Sequence, residues 1–342
     1  MPPRARVPDV ARKAGVSPAT VDRVLHGRAG VRPATVERVV RAAAALGYIM
    51  ETESYVARTR RPMRLVFLLP EGSNRFLSML GHLVGETRAR FETFGMTARA
   101  EFIRSFNPEL LARALREAGR EADGIAFMAL EHPAVREAVN ALAEAGTPTV
   151  TLISDIANAR RAAYVGLDNR STGRTAGYLM ARFIGRRPAK VAMIAGSLSY
   201  RAHEEREMGF LHLFAELYPM IEVVGLREGH DDEAKNYRQA KTLLGRHPDL
   251  AGIYNIGGGA AGIARALREA RRDQETVFIG HGLTPDTRAL LADGTMDAVI
   301  TQNPRAMLID CATIFENLRN GREAESSMCR PIGEIVLREN LP

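Results

Sequence analysis

Residues 7–48 read VPDVARKAGVSPATVDRVLHGRAGVRPATVERVVRAAAALGY. Pro8 and Asp9 suit a helix start, Val10, Ala11 and Ala14 give it one apolar face, and Gly15 stops it. Gly15, Val16 and Ser17 make a three-residue turn. Ser17 is placed to cap a second helix and Pro18 fits its first position. That helix, PATVDRVLHG, puts Val21, Val24 and Leu25 on one side and ends at Gly27. A third helix, from Pro33 to Leu46, carries Val36, Val39, Val40, Ala43 and Leu46 inward. Two short helices joined by a glycine-containing turn, with a third closing the core, form a helix-turn-helix unit.

In such a unit the second helix enters the major groove, its early residues at base edges. Ala19 suits a thymine methyl, and Arg23, one turn on, suits guanine O6/N7 or a phosphate. Ser17 and Thr20 are positioned for phosphates. The charge agrees. The chain has 342 residues and a formal net charge of +7. Residues 1–62 hold twelve Lys/Arg against five acids, which is the whole of that excess. Arginine outnumbers lysine 43 to 4; codon usage explains that choice, but not its concentration in the head. A basic head on a neutral body points to a nucleic-acid partner. The bland alternative is a plain three-helix bundle with Arg23 as a solvated charge.

The string from Val7 to Tyr48, with its DVA..AGVS..TV.RVL and LGY motifs, resembles the N-terminal domain of the lactose-repressor (LacI/GalR) family of bacterial transcription regulators. The resemblance implies base reading by Pro18, Ala19 and Arg23, with Ser17, Thr20, His26 and Arg28 completing the DNA-binding set. Asp22 and His26 depart from the usual Ser and Asn; Asp22 is expected to face away or to pair with Arg12 or Arg28. Residues 51–63 are the expected hinge. There the family wedges a leucine into the minor groove, but the position falls on Ala57, with Tyr55 and Val56 as substitutes. Arg58, Arg60 and Arg61 suit backbone contacts.

Beyond residue 63 apolar strand-like runs alternate with helix-like runs. RLVFLLP precedes a helix near 76–94, TARAEFI and DGIAFMAL each lead to a further helix, and PTVTLIS is followed by YVGLDN and then a helix near 171–186. KVAMIAG then opens a second series through IEVVGL, AGIYNIG, TVFIGHG and DAVITQ. This rhythm gives parallel sheets covered by helices. Two such units joined end to end make two lobes with ligand-binding strand ends around one cleft, which closes by hinge motion. The body is similar to a type I periplasmic sugar-binding protein, most visibly in VGLDNRSTGRTAGYLMARFI and GSLSYRAHEEREMGF. The expected architecture is therefore an all-α helix-turn-helix domain (1–50), a hinge (51–63) and an α/β two-lobed periplasmic-binding-protein-like body (64–342).

Strand ends and family position together nominate ligand residues. Asn74 and Phe76 offer an amide and an aromatic face, Asp155 a pair of acceptors, and Arg206 the arginine that commonly holds the sugar. Asn255, His281 and Gln302 complete the set. Each has a structural alternative: Asp155 as a loop cap, Arg206 as an ion-pair partner, Asn255 as a turn brace, His281 as a buried histidine. Ile256 and Gly282 stand where the family often has acids, which favours a modified, less hydroxylated or anionic sugar derivative, or a ligand that is no sugar.

Gly257, Gly259 and Gly262 spell GxGxxG, the dinucleotide fingerprint. The acid that it needs about twenty residues later is missing, since that strand ends at His281 and Gly282. No phosphate-binding lysine loop, HExxH, GxSxG or Cys/His cluster occurs in the sequence, so an enzyme is not expected, nor a cofactor or metal. Cys311 and Cys329 read as reduced thiols. The N-terminus has no apolar secretory core, which argues against the other alternative, an exported sugar receptor. The expected protein is a cytoplasmic, nucleoid-associated regulator, and the family resemblance implies a repressor. Its expected partners are pseudo-palindromic operator DNA, a sugar, polyol or sugar derivative as effector, and a second copy of itself. A dimer is favoured because no leucine-heptad extension follows the body.

Overall fold

Gly15, at φ 65°, ends α1 (Val7–Ala14) with its backbone N–H returning to Ala11 and Arg12. The structure, a computed structural model, describes residues 5–26, 28, 30–48, 61–104, 106–185, 187–326, 328 and 331–342. The hinge expectations on Tyr55, Val56, Ala57, Arg58 and Arg60, and the reading of Cys329, fall outside those residues. Two units are distinguished, Met1–Met63 with Ala89–Thr97 and Arg64–Arg88 with Ala98–Pro342.

The first unit contains α1, α2 (Pro18–Leu25) and α3 (Pro33–Ala45). Ser17 caps α2 by accepting from the Thr20 N–H at 3.2 Å. Val10, Val21, Val24, Val39, Val40 and Ala43 form the shared core. Small and β-branched side chains let three short helices approach closely. Burying each apolar side chain contributes about 1.5–3 kcal/mol, which helices this short need.

The body begins with β1 (Met63–Glu71), α4 (Arg75–Glu86), α5 (Arg88–Thr93), β2 (Met96–Arg104), α6 (Pro108–Ala118), β3 (Gly124–Phe127), α7 (Pro133–Glu144), β4 (Thr149–Leu152) and β5 (Ala163–Val165). The sheet order is β2-β1-β3-β4-β5. Leu65 to Leu69 are all buried, as a parallel strand covered on both faces requires. The single helix expected near 76–94 is two. Thr87, between them, turns its hydroxyl onto the Leu83 carbonyl at 2.5 Å, a local bond that competes with helix continuation.

The second lobe comprises α8 (Asn169–Ile184), β6 (Ala189–Ala195), α9 (Arg201–Leu217), β7 (Ile221–Glu228), α10 (Glu233–Arg246), β8 (Leu250–Asn255), α11 (Ala260–Glu269), β9 (Val277–His281), α12 (Pro285–Ala292) and β10 (Ala298–Thr301). Its sheet runs β11-β10-β9-β8-β6-β7, and β11 (Glu334–Val336) is antiparallel to β10. The lobes are not simply joined end to end. α13 (Pro304–Arg319) leaves the second sheet and packs against α4 and β5 of the first lobe. Its Phe315 ring lies so close to Gly124 that a Cβ there would stand 2.6 Å from it. The chain then returns to form β11. Three passages thus link the lobes, near residues 166–168, at 302–303, and between α13 and β11. Among the described residues no helix is long and apolar enough to cross a membrane.

Candidate functional site

On the head, Pro18, Ala19 and Arg23 are exposed, while Val21 and Val24 of the same helix are buried. The expected base-reading residues therefore share the open side of α2. The Ser17 and Thr20 hydroxyls are 2.9 Å apart. Asp22 pairs with Arg28 at 3.4 Å and lies 3.1 Å from His26 Nδ1. Arg12 pairs with Asp9 instead. Asp22 thus shares the space of His26 and Arg28, two of the expected DNA-binding residues. Exposed pairs of this kind are worth at most about 1 kcal/mol.

In the body, strand ends and helix starts from both lobes surround a partly open cavity. The space open to water centres is about 70 Å³, room for about five waters. From the first lobe come Ser73, Asn74, Phe76, Met128 and Ile153. From the second come His203, Arg206, Gly257 to Ala260, His281, Thr284 and Thr301, with Gln302 at the passage into α13.

Arg206 is only 6% exposed. Its position follows from close helix packing. A Cβ at Gly173 of α8 would stand 2.0 Å from the Arg206 carbonyl, and one at Gly209 of α9 2.1 Å from the Arg170 carbonyl. These two glycines let α9 lie against α8 and carry Arg206 inward. Its Nε donates to Asn169 Oδ1 at 2.8 Å and its Nη1 to the Ile256 carbonyl at 2.9 Å. Asn169 is itself fixed: its Nδ2 donates to the Ile153 carbonyl at 3.2 Å and to the Tyr164 hydroxyl at 3.0 Å. Burial lowers the Arg206 pKa from its ordinary value, while leaving the guanidinium charged at any ordinary pH.

Asn74 caps α4, its Oδ1 accepting from the Phe76 and Leu77 N–H groups. Its Nδ2 reaches across to Asp231 Oδ2 at 2.9 Å, and the Ser73 hydroxyl donates to the Asp231 carbonyl at 2.7 Å. Further bridges join the lobes: Glu131 N–H to the Ser199 carbonyl at 2.9 Å and Arg75 to Asp286 at 3.2 Å. His230 and Asp231 both have positive φ, 53° and 57°. This strained turn presents Asp231 to the first lobe.

His281 Nε2 lies 2.6 Å from the Tyr254 hydroxyl. Burial, with the charges of Arg206 and His203, pushes His281 well below the usual histidine range. His203 is buried, with Nδ1 2.9 Å from the Ser197 carbonyl. Burial outweighs the attraction of Asp231 and pulls it down to about 4. Both rings are therefore neutral at pH 7. Gln302 Oε1 is buried without a hydrogen-bond partner.

Of the seven expected ligand residues, Asn74, Phe76, Arg206, His281 and Gln302 line the cavity. Asp155 and Asn255 are not part of the lining. Asp155 is held bidentately by Arg161, with both N···O distances 2.5 Å, and accepts from the Thr151 hydroxyl at 2.6 Å. Burial raises its pKa, but the Arg161 and Thr151 hydrogen bonds and the Arg161 charge hold it below the ordinary value. Asn255 Nδ2 donates to the Gly257 and Gly258 carbonyls, at 3.1 Å each, so it braces the glycine turn. Ser73, His203, Thr284 and Thr301 went unnamed in the sequence. Thr284 carried a signal: it precedes Pro285 as an N-cap and does cap α12.

A two-lobed α/β binding fold with a cavity between its lobes, behind a helix-turn-helix head, defines the class. The chain belongs to the periplasmic binding protein domain family, whose model matches residues 97–323. Residues 7–51 match the lacI family of bacterial regulatory proteins, so the helix-turn-helix is the DNA-binding region of a LacI-type regulator. The D-allose-binding periplasmic protein of Escherichia coli is 27% identical over 143 residues, 42% of this chain and 46% of that protein. The chain thus spans about half the length of that curated relative. GanP, a glucose-galactose binding protein from Geobacillus stearothermophilus, superposes with a TM-score of 0.75 at 26% identity, covering 83% of this chain and 100% of that one. A Bacteroides fragilis protein provisionally assigned as a LacI transcriptional regulator shares the fold, with a TM-score of 0.71 at 19% identity over 82% of this chain and 98% of that one.

Proposed function

We propose that the protein is a ligand-responsive, sequence-specific transcription regulator rather than an enzyme. It binds pseudo-palindromic operator DNA as a homodimer in the cytoplasm, and it senses a sugar or sugar-like metabolite in the inter-lobe cavity. The observation that carries this reading is the pairing of a LacI-type head, its α2 face open, with a cavity into which a buried Arg206 is built. The relatives that bind D-allose or glucose and galactose support the sugar class.

Pro18, Ala19 and Arg23 read base edges, and Ser17, Thr20, His26 and Arg28 contact phosphates. The domain scheme is a head over 1–50, a hinge over 51–63 and an effector-binding body over 64–342. In the body Arg206 donates to the ligand, Phe76 supplies an apolar face, and Asn74, His281 and Gln302 supply polar contacts. Asp155 and Asn255 support the site from behind rather than touch the ligand. The switch is a population shift: an effector that contacts both lobes favours the bridged form over an open one.

The test is a thermal-shift screen of the full chain against neutral sugars, polyols, sugar acids and sugar phosphates. Each hit is then added to the protein on a duplex selected from a random pool. A compound that both raises the melting temperature and changes DNA affinity supports the reading. A body that binds sugars with no effect on DNA affinity contradicts it.

A further inference from the structure

The GxGxxG run does not mark a nucleotide site, yet it has a place in the cavity. Gly257, Gly258 and Gly259 lead into α11, and all three line the cavity together with Ala260. Gly259 is the N-cap of α11, at φ 71°, and no side chain caps that helix. A Cβ at Gly259 would stand 2.6 Å from Asn236 Nδ2, and one at Gly258 3.1 Å from Asn74 Nδ2. Glycine thus admits Asn236, Asn74 and Asp231 to the turn. The Gly258 N–H is taken by Asp231 Oδ1 and that of Gly262 by the Gly259 carbonyl, which leaves the N–H groups of Ala260 and Ala261 at the start of α11 for a ligand. Such a helix end carries roughly half a positive charge and is a ready anion seat.

Arg206 adjoins the same turn, since its Nη1 donates to the carbonyl of Ile256, the residue just before Gly257. Both of its hydrogen-bond acceptors, Asn169 Oδ1 and the Ile256 carbonyl, are neutral. Among the described residues no carboxylate forms an ion pair with it. Asp231 acts on it through space, but Asp231 Oδ1 takes the Gly258 N–H at 2.6 Å and Oδ2 takes Asn74 Nδ2. Glu205 is engaged by Arg201 at 2.7 Å. The acids on the lining are Asp286, paired with Arg75, and Glu233, which is exposed. A guanidinium buried to this degree without a bonded counter-charge is costly, and a ligand anion would remove that cost.

We propose that the effector carries a carboxylate, received jointly by the Arg206 guanidinium and the uncovered N–H groups at the start of α11. This rests on the reading of the cavity as the effector site and narrows it to sugar acids. Arg206 and the helix end together carry about +1.5, and the Asp231 carboxylate bound at the same turn carries −1, so a remainder of about +0.5 suits a single negative charge. A phosphate, with a charge of about −1.5 to −2, exceeds that. The buried, unpartnered Gln302 Oε1 needs a donor, which a ligand hydroxyl supplies. The cavity thus offers donors for the carboxylate and an acceptor for a hydroxyl.

The test is calorimetric titration of the full chain with sets matched in shape and differing in charge. One set is D-galactose, D-galacturonate and galacturonamide; another is D-glucose, D-glucuronate and glucuronamide. Glucose 6-phosphate and tartrate complete the panel. In at least one set the acid is expected to bind about tenfold or more tightly than both neutral members. Arg206→Gln should erase that preference and Arg206→Lys retain part of it, with folding checked by circular dichroism. The wild-type comparison of acid with amide stands even if the variants fail to fold. Neutral sugars that bind as well as their acids overturn the carboxylate and leave the sugar reading intact. Tighter binding of the phosphate also overturns the carboxylate. Binding of tartrate alone keeps the carboxylate and overturns the sugar reading, and binding of none overturns both.

Discussion

Two carboxylates and two histidines show what burial decides at single positions. Asp155 and Asp231 both follow a strand of the body, but only Asp155 was nominated from sequence as a ligand residue. The difference lies in partners that the sequence does not order. Arg161, six residues on from Asp155, folds back as a bidentate fork, whereas Asp231 meets Asn74, 157 positions away. Arg206 and Gln302 were legible because each stands at a helix start or strand end of a familiar pattern. Asn169, which orients Arg206, was not, because its role depends on Tyr164 and Ile153 meeting it in space. The histidines yield a pH prediction. His203 has a lowered pKa in the folded protein, about 4, so the unfolded chain binds the extra proton more readily. Stability is therefore complete above the unfolded value of about 6.5 and falls as pH drops from there towards 4, by up to about 1.4 kcal/mol per pH unit from this residue. His281, lowered in the same direction, adds to the slope. Asp155, also lowered, keeps its contribution above the unfolded carboxylate value and loses it only as pH falls through its lowered folded value. Urea unfolding from pH 7 to 4.5 checks this. His203→Gln should flatten the profile, and an unchanged slope would remove His203 from the account.

At the scale of elements, α2 shows how closely a local pattern can match its outcome. The turn at Gly15, the Ser17 cap and Pro18 at the first position all appear where the sequence places them. Ser17→Ala should cost about 1 kcal/mol of stability in thermal denaturation, the usual value of a lost cap. Arg23→Ala, on the exposed side of the same helix, should weaken binding to a selected operator by about 1–3 kcal/mol and relax preference at one base pair. Equal losses on all sequences would make Arg23 a phosphate contact instead. α13 was the element least open to reading. Its apolar pattern says helix, but nothing local says that it returns to the first lobe, where Phe315 packs over Gly124. The bridge from Asn74 to Asp231 is likewise a meeting of distant segments. Asn74→Ala leaves the buried Asp231 short of a donor and should cost about 1–3 kcal/mol. Because the loss falls on the bridged form, small-angle scattering of the variant should show a larger radius of gyration without ligand. An unchanged radius would show that the remaining bridges suffice.

Across the whole molecule, charge and fold divide the labour. The excess of +7 resides in residues 1–62, and the body supplies a neutral frame around one buried guanidinium. DNA affinity should therefore fall steeply with salt, with a log–log slope of about −0.9 for each phosphate neutralised. Ligand affinity for a neutral sugar should be nearly indifferent to salt, since its contacts are short-ranged and enclosed. Titrations of both between 50 and 300 mM salt compare the two directly. The body's βα rhythm was legible because parallel strands buried on both faces leave unbroken apolar runs. The three passages between lobes were not, because the short loops near 166–168 and 302–303 carry no periodicity and nothing local in the run 320–333 says which sheet the chain joins next. The central claim is that the cavity controls the head. It is tested most directly by fluorescence anisotropy of a labelled operator duplex, titrated with full-length protein with and without a saturating ligand from the binding screen. The account predicts that the ligand shifts operator affinity at least about fivefold, the lower end of usual allosteric coupling. Superimposable curves, with the ligand shown to be bound, would contradict it.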